Sequence, residues 1–171
     1  MNIYKNFLSN SEFKKLKSKM MSSNMPWFFN DGINKEKDGF YQFTFLFWNH
    51  KGTNCTQEFM DLIQPLLLKL KYKKLTTVKA NLLLATNKTI EHGFHIDQPR
   101  GTTSIFYINN CNGYTKFKNG KKIISEENKL VEFNSALEHT GASCTDKPRR
   151  IVINFNYSCI YLIISGILNL H

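Results

Sequence analysis

Hydrophobic residues repeat with a helical period in two segments of the N-terminal third of the chain. They predict one amphipathic helix over about residues 10–21 and a second that begins near Asn54. Ser9 and Glu12 have the spacing of a capping box and mark the start of the first helix, and Pro65 is expected to kink the second. The face-forming residues are Phe13, Leu16 and Met20 in one helix and Phe59, Leu62, Ile63, Leu66 and Leu70 in the other. Helices of this kind commonly cover one face of a sheet, so we interpret this part of the chain as supporting structure.

The rest of the pattern is that of β-strands. The run 41–48 is aromatic and largely apolar, which favours a buried strand over a substrate-binding aromatic box. Residues 76–85 alternate, so that Asn81 is expected to face the interior of the fold together with Lys79 and Leu83. The opposite face carries Val78, Ala80, Leu82 and Leu84. Further strands are predicted over residues 102–109, 114–117, 122–125, 130–133 and 149–157, with Asn119-Gly120 as a hairpin turn.

About eight short strands and two helices indicate an α+β fold that is mainly β. The strand number favours a double-stranded β-helix, that is, a jelly-roll or cupin-like core, with N-terminal supporting helices. A length of 171 residues, 42% of them hydrophobic, suits one domain. We expect helical support and a first strand over 1–75, the jelly-roll core over 76–158 and an apolar tail over 159–171. The tail falls short of the roughly 20 apolar residues that cross a bilayer, so no membrane association is predicted.

The charge balance is compatible with binding of nucleic acid or another anion, or with a basic surface that is merely solvated. Lys and Arg number 23 against 13 Asp and Glu, a formal net charge of +10, which could attract nucleic acid or another anion. Aromatic residues are not interleaved with the basic clusters as stacking platforms would require, so a solvated surface is favoured.

The four cysteines show no CxxC spacing, which favours a reduced, cytoplasmic setting. The bias towards Asn and Lys suits an AT-rich genome, such as that of a phage in its host's cytoplasm.

The candidate chemistry begins at His95-Ile96-Asp97. In an extended strand the side chains of His95 and Asp97 leave on the same face and can hold one ion together. A distant histidine, His139, would complete two imidazoles and one carboxylate on one side of a metal, a set that suits Fe(II) and oxygen chemistry. His92 lies in the preceding loop and does not share a strand face with His95, so it is expected to be exposed to solvent.

Five segments of the chain together resemble one enzyme family. They are FHID (94–97), SIFYINN (104–110), GYTKF (113–117), NKLVEFNSALEH (128–139) and RRIVINFNY (149–157). From Asn81 to Tyr157 the chain resembles the Fe(II)/2-oxoglutarate-dependent dioxygenases, in particular the short, phage-type members of the prolyl 4-hydroxylase-like branch. The resemblance implies that the iron ligands are His95, Asp97 and His139. It also implies a tyrosine, here Tyr107, and a basic residue after His139 that bind the distal carboxylate of 2-oxoglutarate.

Alternation along 149–157 indicates which arginine is the basic residue that binds the distal carboxylate. Arg150 shares a face with polar residues, whereas Arg149 shares the apolar face that should pack against the helices. The guanidinium of Arg150 can form two parallel hydrogen bonds to a carboxylate, with Arg149 as the fallback. The family's K/R-x-x-x-N pattern also matches Arg150 and Asn154, which together with Asn81 are expected to bind the cosubstrate. The family often has a tyrosine ten residues before the first histidine, and this chain has Ala85 there.

The reaction implied by the resemblance consumes O2 and 2-oxoglutarate and releases succinate and CO2 while a C–H bond is hydroxylated, commonly with support from ascorbate. The substrate would be a prolyl residue, another protein side chain or a small molecule. One alternative is a demethylase of alkylated nucleic-acid bases, whose members carry a second arginine six residues after the first. Phe155 and Asn156 stand at that place here, which weakens this alternative. The other is a non-catalytic jelly-roll binding module.

Overall fold

Two helices flank a large antiparallel sheet in the computed structural model, which describes residues 1–34 and 38–159. The helices are α1 (Asn10–Met21) and α2 (Gln57–Lys69). The strands are β1 (Asn2–Tyr4), β2 (Phe28–Asn30), β3 (Gln42–Asn49), β4 (Gly52–Thr53), β5 (Tyr72–Leu84), β6 (Thr102–Tyr107), β7 (Tyr114–Phe117), β8 (Lys122–Ile124), β9 (Lys129–Asn134), β10 (His139–Gly141) and β11 (Arg149–Cys159).

The strands form two sheets. The main sheet has the order β1-β9-β6-β11-β5-β3-β2, with β4 paired to β3, and the small sheet has the order β10-β7-β8. All pairings are antiparallel. Because β1 pairs with β9 and β3 pairs with β5, the N-terminal third contributes strands to the same sheet as the remainder of the chain.

One face of the main sheet is covered by the helices. Phe13, Leu16 and Met20 of α1 and Leu62, Ile63 and Leu66 of α2 are buried in one hydrophobic cluster with alternate residues of the strands. Those strand residues include Val78, Ala80 and Leu82 of β5 and Ile151, Ile153 and Phe155 of β11. Phe45 and Phe47 of β3 lie in the same cluster, so the aromatic run is core packing, as predicted.

The other face of the main sheet packs on the small sheet. Ile105, Val131 and Val152 of the main sheet share a second cluster with Phe117 and Ile123 of the small sheet. Two facing antiparallel sheets that enclose their own core are the arrangement of a jelly roll. The predicted jelly-roll fold with supporting helices is therefore confirmed.

Local structure departs from the sequence-based prediction in three places. The tripeptide His95-Ile96-Asp97 does not lie in a regular strand, because the described segment around it joins the small sheet through isolated bridges at Glu91–Ala142 and His95–His139. Helix α2 begins at Gln57, after Thr56 as N-cap, rather than near Asn54. Strands β1, β2, β4 and β10 were not predicted, since each has only two to three residues, too few to show a period.

Helix α1 has a complete capping box, which yields a stability prediction. The side chain of Ser9 accepts a hydrogen bond from the Glu12 backbone N–H, and the Glu12 carboxylate accepts one from the Ser9 backbone. Ser9→Ala should lower the free energy of unfolding by about 1 kcal/mol, as loss of an N-cap typically does. Urea denaturation measures the change. Ser18→Ala, at an exposed position within α1, is the matched control and should not destabilise the protein.

In the part of the chain that the structure describes, no helix is long and apolar enough to cross a membrane. The predicted apolar tail, beyond its first residue Cys159, lies outside the described residues.

Candidate active site

A cavity of about 320 Å³ lies between the two sheets. The inward face of β5 lines it with Lys79, Asn81 and Leu83, and the inward face of β11 lines it with Arg150, Val152, Asn154 and Asn156. This is the division of faces that alternation predicted for both strands. The opposite wall carries His95, Asp97 and His139.

The three predicted metal ligands meet on that wall. Asp97 Oδ1 lies 3.8 Å from His95 Nε2, and Asp97 Oδ2 lies 3.7 Å from His139 Nε2. One ligand atom from each residue falls within 4.8 Å of the others. Reciprocal backbone hydrogen bonds of 3.0 Å between His95 and His139 bring the two histidines together from distant parts of the sequence. The donor set, two imidazoles and a carboxylate, is one that binds Fe(II) in a facial arrangement.

Neighbouring groups orient these side chains. His139 Nδ1 lies 2.9 Å from the carbonyl oxygen of Leu137, so donation from Nδ1 leaves Nε2 as a lone-pair donor towards the cluster. Thr103 Oγ1 lies 2.7 Å from Asp97 Oδ2 and 2.7 Å from Asn156 Oδ1. Burial, and then the charge of His139, lower the pKa of His95. The neutral imidazole that binds metals is thereby favoured.

Arg150 closes the inner end of the cavity. Its side chain is 3% exposed, and its Nη2 donates a hydrogen bond of 3.1 Å to Thr115 Oγ1. The hydroxyl of Tyr107 donates to the same oxygen at 2.9 Å, and the guanidinium lies 5.6 Å from the Tyr107 ring centre. Burial raises the pKa of Tyr107, so its hydroxyl stays protonated as a donor. A Cβ at Gly113 would stand 2.6 Å from Arg150 Cδ, so the close approach of this turn requires glycine.

Several buried polar atoms around the cavity lack a hydrogen-bond partner within the described residues. They are Asn81 Oδ1, Asn154 Oδ1, Arg150 Nε, His95 Nδ1 and both ring nitrogens of His92. A buried polar group without a partner is costly, and in native proteins such groups are usually satisfied. Their convergence on one cavity indicates a site shaped for a polar ligand, and Arg150 Nε fits an anion. The residues present therefore fit both a divalent metal and a dicarboxylate.

The structure corrects one prediction and adds residues that the sequence did not single out. His92 is 7% exposed and lines the cavity, so the expectation that it faces solvent is wrong. Phe40 and Asn34 cover it: Phe40 contacts its ring edge-on at 5.0 Å between centroids, and Asn34 Nδ2 donates to its carbonyl oxygen. The local sequence around His92 does not predict its burial, because the residues that cover it lie about fifty positions earlier in the chain. Thr103 and Thr115 were missed because ordinary strand threonines carry no signal of their own.

Arg149 has a structural contact instead. Its Nη2 donates a hydrogen bond of 2.8 Å to the carbonyl oxygen of Met21 at the end of α1. It therefore lies on the helix side of the sheet and not in the cavity.

A second group of possible ligands, Cys111, Cys144 and Asp146, lies outside the cavity lining. Burial raises the pKa of the Cys144 thiol to about 11. None of these three residues is among the described ones that carry a buried polar atom without a hydrogen-bond partner, whereas several such atoms surround the histidine-aspartate cluster. The histidine-aspartate cluster is the better candidate.

Solved structures with the same architecture decide the fold. A prolyl 4-hydroxylase from Pseudomonas putida is 13% identical, with a TM-score of 0.59, and the match covers 92% of this chain and 91% of that one. The chain has the prolyl hydroxylase fold. A prolyl hydroxylase from Trichoplax adhaerens, solved with a peptide of hypoxia-inducible factor, is 17% identical, with a TM-score of 0.58 and coverage of 92% and 82%.

The prolyl hydroxylase fold also extends to a non-haem α-ketoglutarate-dependent epimerase of nogalamycin biosynthesis. That enzyme is 11% identical, with a TM-score of 0.63 and coverage of 92% of this chain and 75% of that one. No family model matches the sequence, and no curated protein matches it significantly. The likeness is thus one of fold, and the site residues have to be assigned from the chemistry of this chain.

Proposed function

We propose that the protein is an Fe(II)- and 2-oxoglutarate-dependent oxygenase that hydroxylates a C–H bond of its substrate. The observation that carries this proposal is a single cavity with His95, Asp97 and His139 on one wall and the buried guanidinium of Arg150 at its inner end. A metal triad alone would suit many reactions. A fixed cation at a distance from the triad adds the means to orient a dicarboxylate whose other end lies at the metal.

Each residue has a defined task in this proposal. His95, Asp97 and His139 would hold Fe(II) and leave positions open for 2-oxoglutarate and O2, whose joint chemistry converts 2-oxoglutarate to succinate and CO2 and supplies the oxidant. Thr103 would keep the Asp97 carboxylate turned towards the metal. Arg150 would bind the distal carboxylate, and Asn81 and Asn154 would donate or accept hydrogen bonds along the cosubstrate. Both asparagines carry a buried oxygen without a partner within the described residues.

Apolar side chains also line the cavity. Leu83, Ile105 and Val152 line it between the polar groups, and side chains of this kind exclude water from the reacting atoms. A preplaced guanidinium beside these apolar side chains favours binding of the cosubstrate in one orientation. The protein's contribution is therefore positioning and exclusion, while the metal and cosubstrate supply the redox chemistry.

The proposed activity is tested by succinate formation with Fe(II), ascorbate and 2-oxoglutarate, using panels of peptides, amino acids and nucleosides. We expect a subset of one panel to raise succinate formation above the substrate-free rate, with one oxidised product per succinate. Asp97→Ala should abolish the stimulation. The proposal fails if succinate formation requires neither Fe(II) nor 2-oxoglutarate, or persists undiminished in Asp97→Ala.

Tyr107 is expected to act through Thr115 on Arg150. Its hydroxyl shares the Thr115 oxygen with the guanidinium, so Tyr107→Phe removes one hydrogen bond from this group while the ring remains. The loss should be about 1 kcal/mol, which raises the Michaelis constant for 2-oxoglutarate roughly fivefold. Steady-state kinetics measures the change, and metal affinity should be unaltered. An unchanged Michaelis constant would show that Tyr107 has no part in cosubstrate binding.

A further inference from the structure

Lys79 is a cation in the cavity to which the proposed reaction gives no task. It projects from the inward face of β5 and lines the cavity beside Asn81. Among the described residues it has no ion pair within 4.0 Å and no hydrogen bond to its ammonium group. Burial lowers its pKa, and the nearby carboxylate of Asp97 raises it by a smaller amount. A half-buried ammonium without a partner is costly, and a bound anion would offset that cost.

The position of Lys79 separates it from the end of the cavity where Arg150 lies. Arg150 pairs with Leu83 in the sheet and Lys79 pairs with Asn154, so the two cations are four residues apart along the strands. That separation is about 13 Å at the usual rise per residue. The Arg150 end is closed, whereas the His95 side chain near Lys79 remains 34% exposed. The charge of Lys79 also interacts with that of Asp97, so a substrate that reaches the metal ligands would lie close to the ammonium of Lys79.

Charge balance supports the same conclusion. Among the residues that the structure describes, three that line the cavity carry formal charge when the histidines are neutral: Lys79, Asp97 and Arg150. Their sum is +1. Fe(II) and doubly charged 2-oxoglutarate cancel each other, so the loaded cavity keeps a charge of +1. One further carboxylate would neutralise it, and the ammonium of Lys79 is the cation left to bind that carboxylate.

We propose that Lys79 selects a substrate that carries a carboxylate close to the carbon that is oxidised. This inference rests on the proposed function and narrows its substrate class to acids. The carboxylate could belong to a free amino or organic acid or to an acidic side chain of a peptide, since both offer the same group to the ammonium.

The test uses matched pairs of acids and amides: glutamate with glutamine, aspartate with asparagine, and short peptides that contain one member of each pair. Protein loaded with Mn(II) and 2-oxoglutarate is titrated without O2 in a calorimeter, so that binding is measured rather than turnover. The variants are Lys79→Met, which removes the charge, Lys79→Arg, which keeps it, and the control Lys74→Met, which removes an exposed lysine of the same strand.

We expect at least one acid to bind about tenfold or more tightly than its amide to the wild-type protein, to Lys79→Arg and to Lys74→Met. The preference should vanish in Lys79→Met while the affinity for 2-oxoglutarate is retained. The free and peptide pairs distinguish the two sources of the carboxylate. The inference is overturned if no acid is preferred over its amide, if Lys79→Met keeps the preference, or if Lys79→Met instead loses 2-oxoglutarate. Failure of the wild-type protein to bind 2-oxoglutarate in the first titration would be the separate failure of the proposed function.

Discussion

Asp97→Ala is expected to abolish turnover and to weaken the binding of Fe(II) or Mn(II) by well over a hundredfold. The carboxylate stands between the two imidazoles, 3.8 Å from His95 Nε2 and 3.7 Å from His139 Nε2, and is the only anionic group among the described residues that line the cavity. A dication held by three protein side chains loses its charge neutralisation when the carboxylate is removed. Changes in groups that merely support metal ligands already cost 10–100-fold, so the loss of a ligand should cost more. His95→Ala and His139→Ala should likewise abolish turnover.

Calorimetric titration with Mn(II) measures the effect directly. Asp146→Ala is the matched control, because it removes a carboxylate from the cysteine-containing cluster outside the cavity. It should bind one Mn(II) with the affinity of the wild-type protein. Undiminished metal affinity in Asp97→Ala would remove the triad assignment.

Arg150→Ala is expected to raise the Michaelis constant for 2-oxoglutarate by tens-fold or more while metal binding is retained. A carboxylate that enters a buried site without its guanidinium loses on the order of 2 to 5 kcal/mol, much of it the cost of an uncompensated charge. The Michaelis constant of Arg150→Lys for 2-oxoglutarate should fall between those of the wild-type protein and Arg150→Ala, since an ammonium keeps the charge but not the planar pair of donors.

Arg149→Ala is the matched control in the same strand. Arg149 faces α1, where it donates a hydrogen bond to the Met21 carbonyl, so its loss should affect stability more than cosubstrate binding. Steady-state kinetics with varied 2-oxoglutarate compares the two variants. A large effect of Arg149→Ala on the Michaelis constant, with little effect of Arg150→Ala, would contradict the assignment.

Much of the fold and of the site geometry follows from residue periodicity. Alternation in β5 and β11 separates residues such as Val78 and Ile153, which pack under the helices, from residues such as Asn81 and Arg150, which line the cavity. A two-residue period allows no other division once one face is apolar. The capping box of Ser9 and the amphipathic face of α1 likewise fix the helix start and its buried side.

Other features depend on contacts that local sequence does not encode. His92 is buried because Phe40 and Asn34 reach it from the region before β3, so its spacing from His95 carried no information about burial. His95 and Asp97 are held in place by backbone hydrogen bonds to His139 and Ser135 rather than by a regular strand of their own. Alternation predicts the face on which Lys79 lies, yet its lack of a partner among the described residues is a property of the whole cavity.

The most direct test of the central claim is optical titration of the protein with Fe(II) and 2-oxoglutarate in the absence of O2. Chelation of Fe(II) by an α-keto acid gives a visible charge-transfer absorption that neither component gives alone. The account predicts this absorption at one Fe(II) per chain, its loss in Asp97→Ala, and its appearance only at much higher 2-oxoglutarate in Arg150→Ala. Absence of the absorption in the wild-type protein, or its persistence unchanged in both variants, would contradict the account.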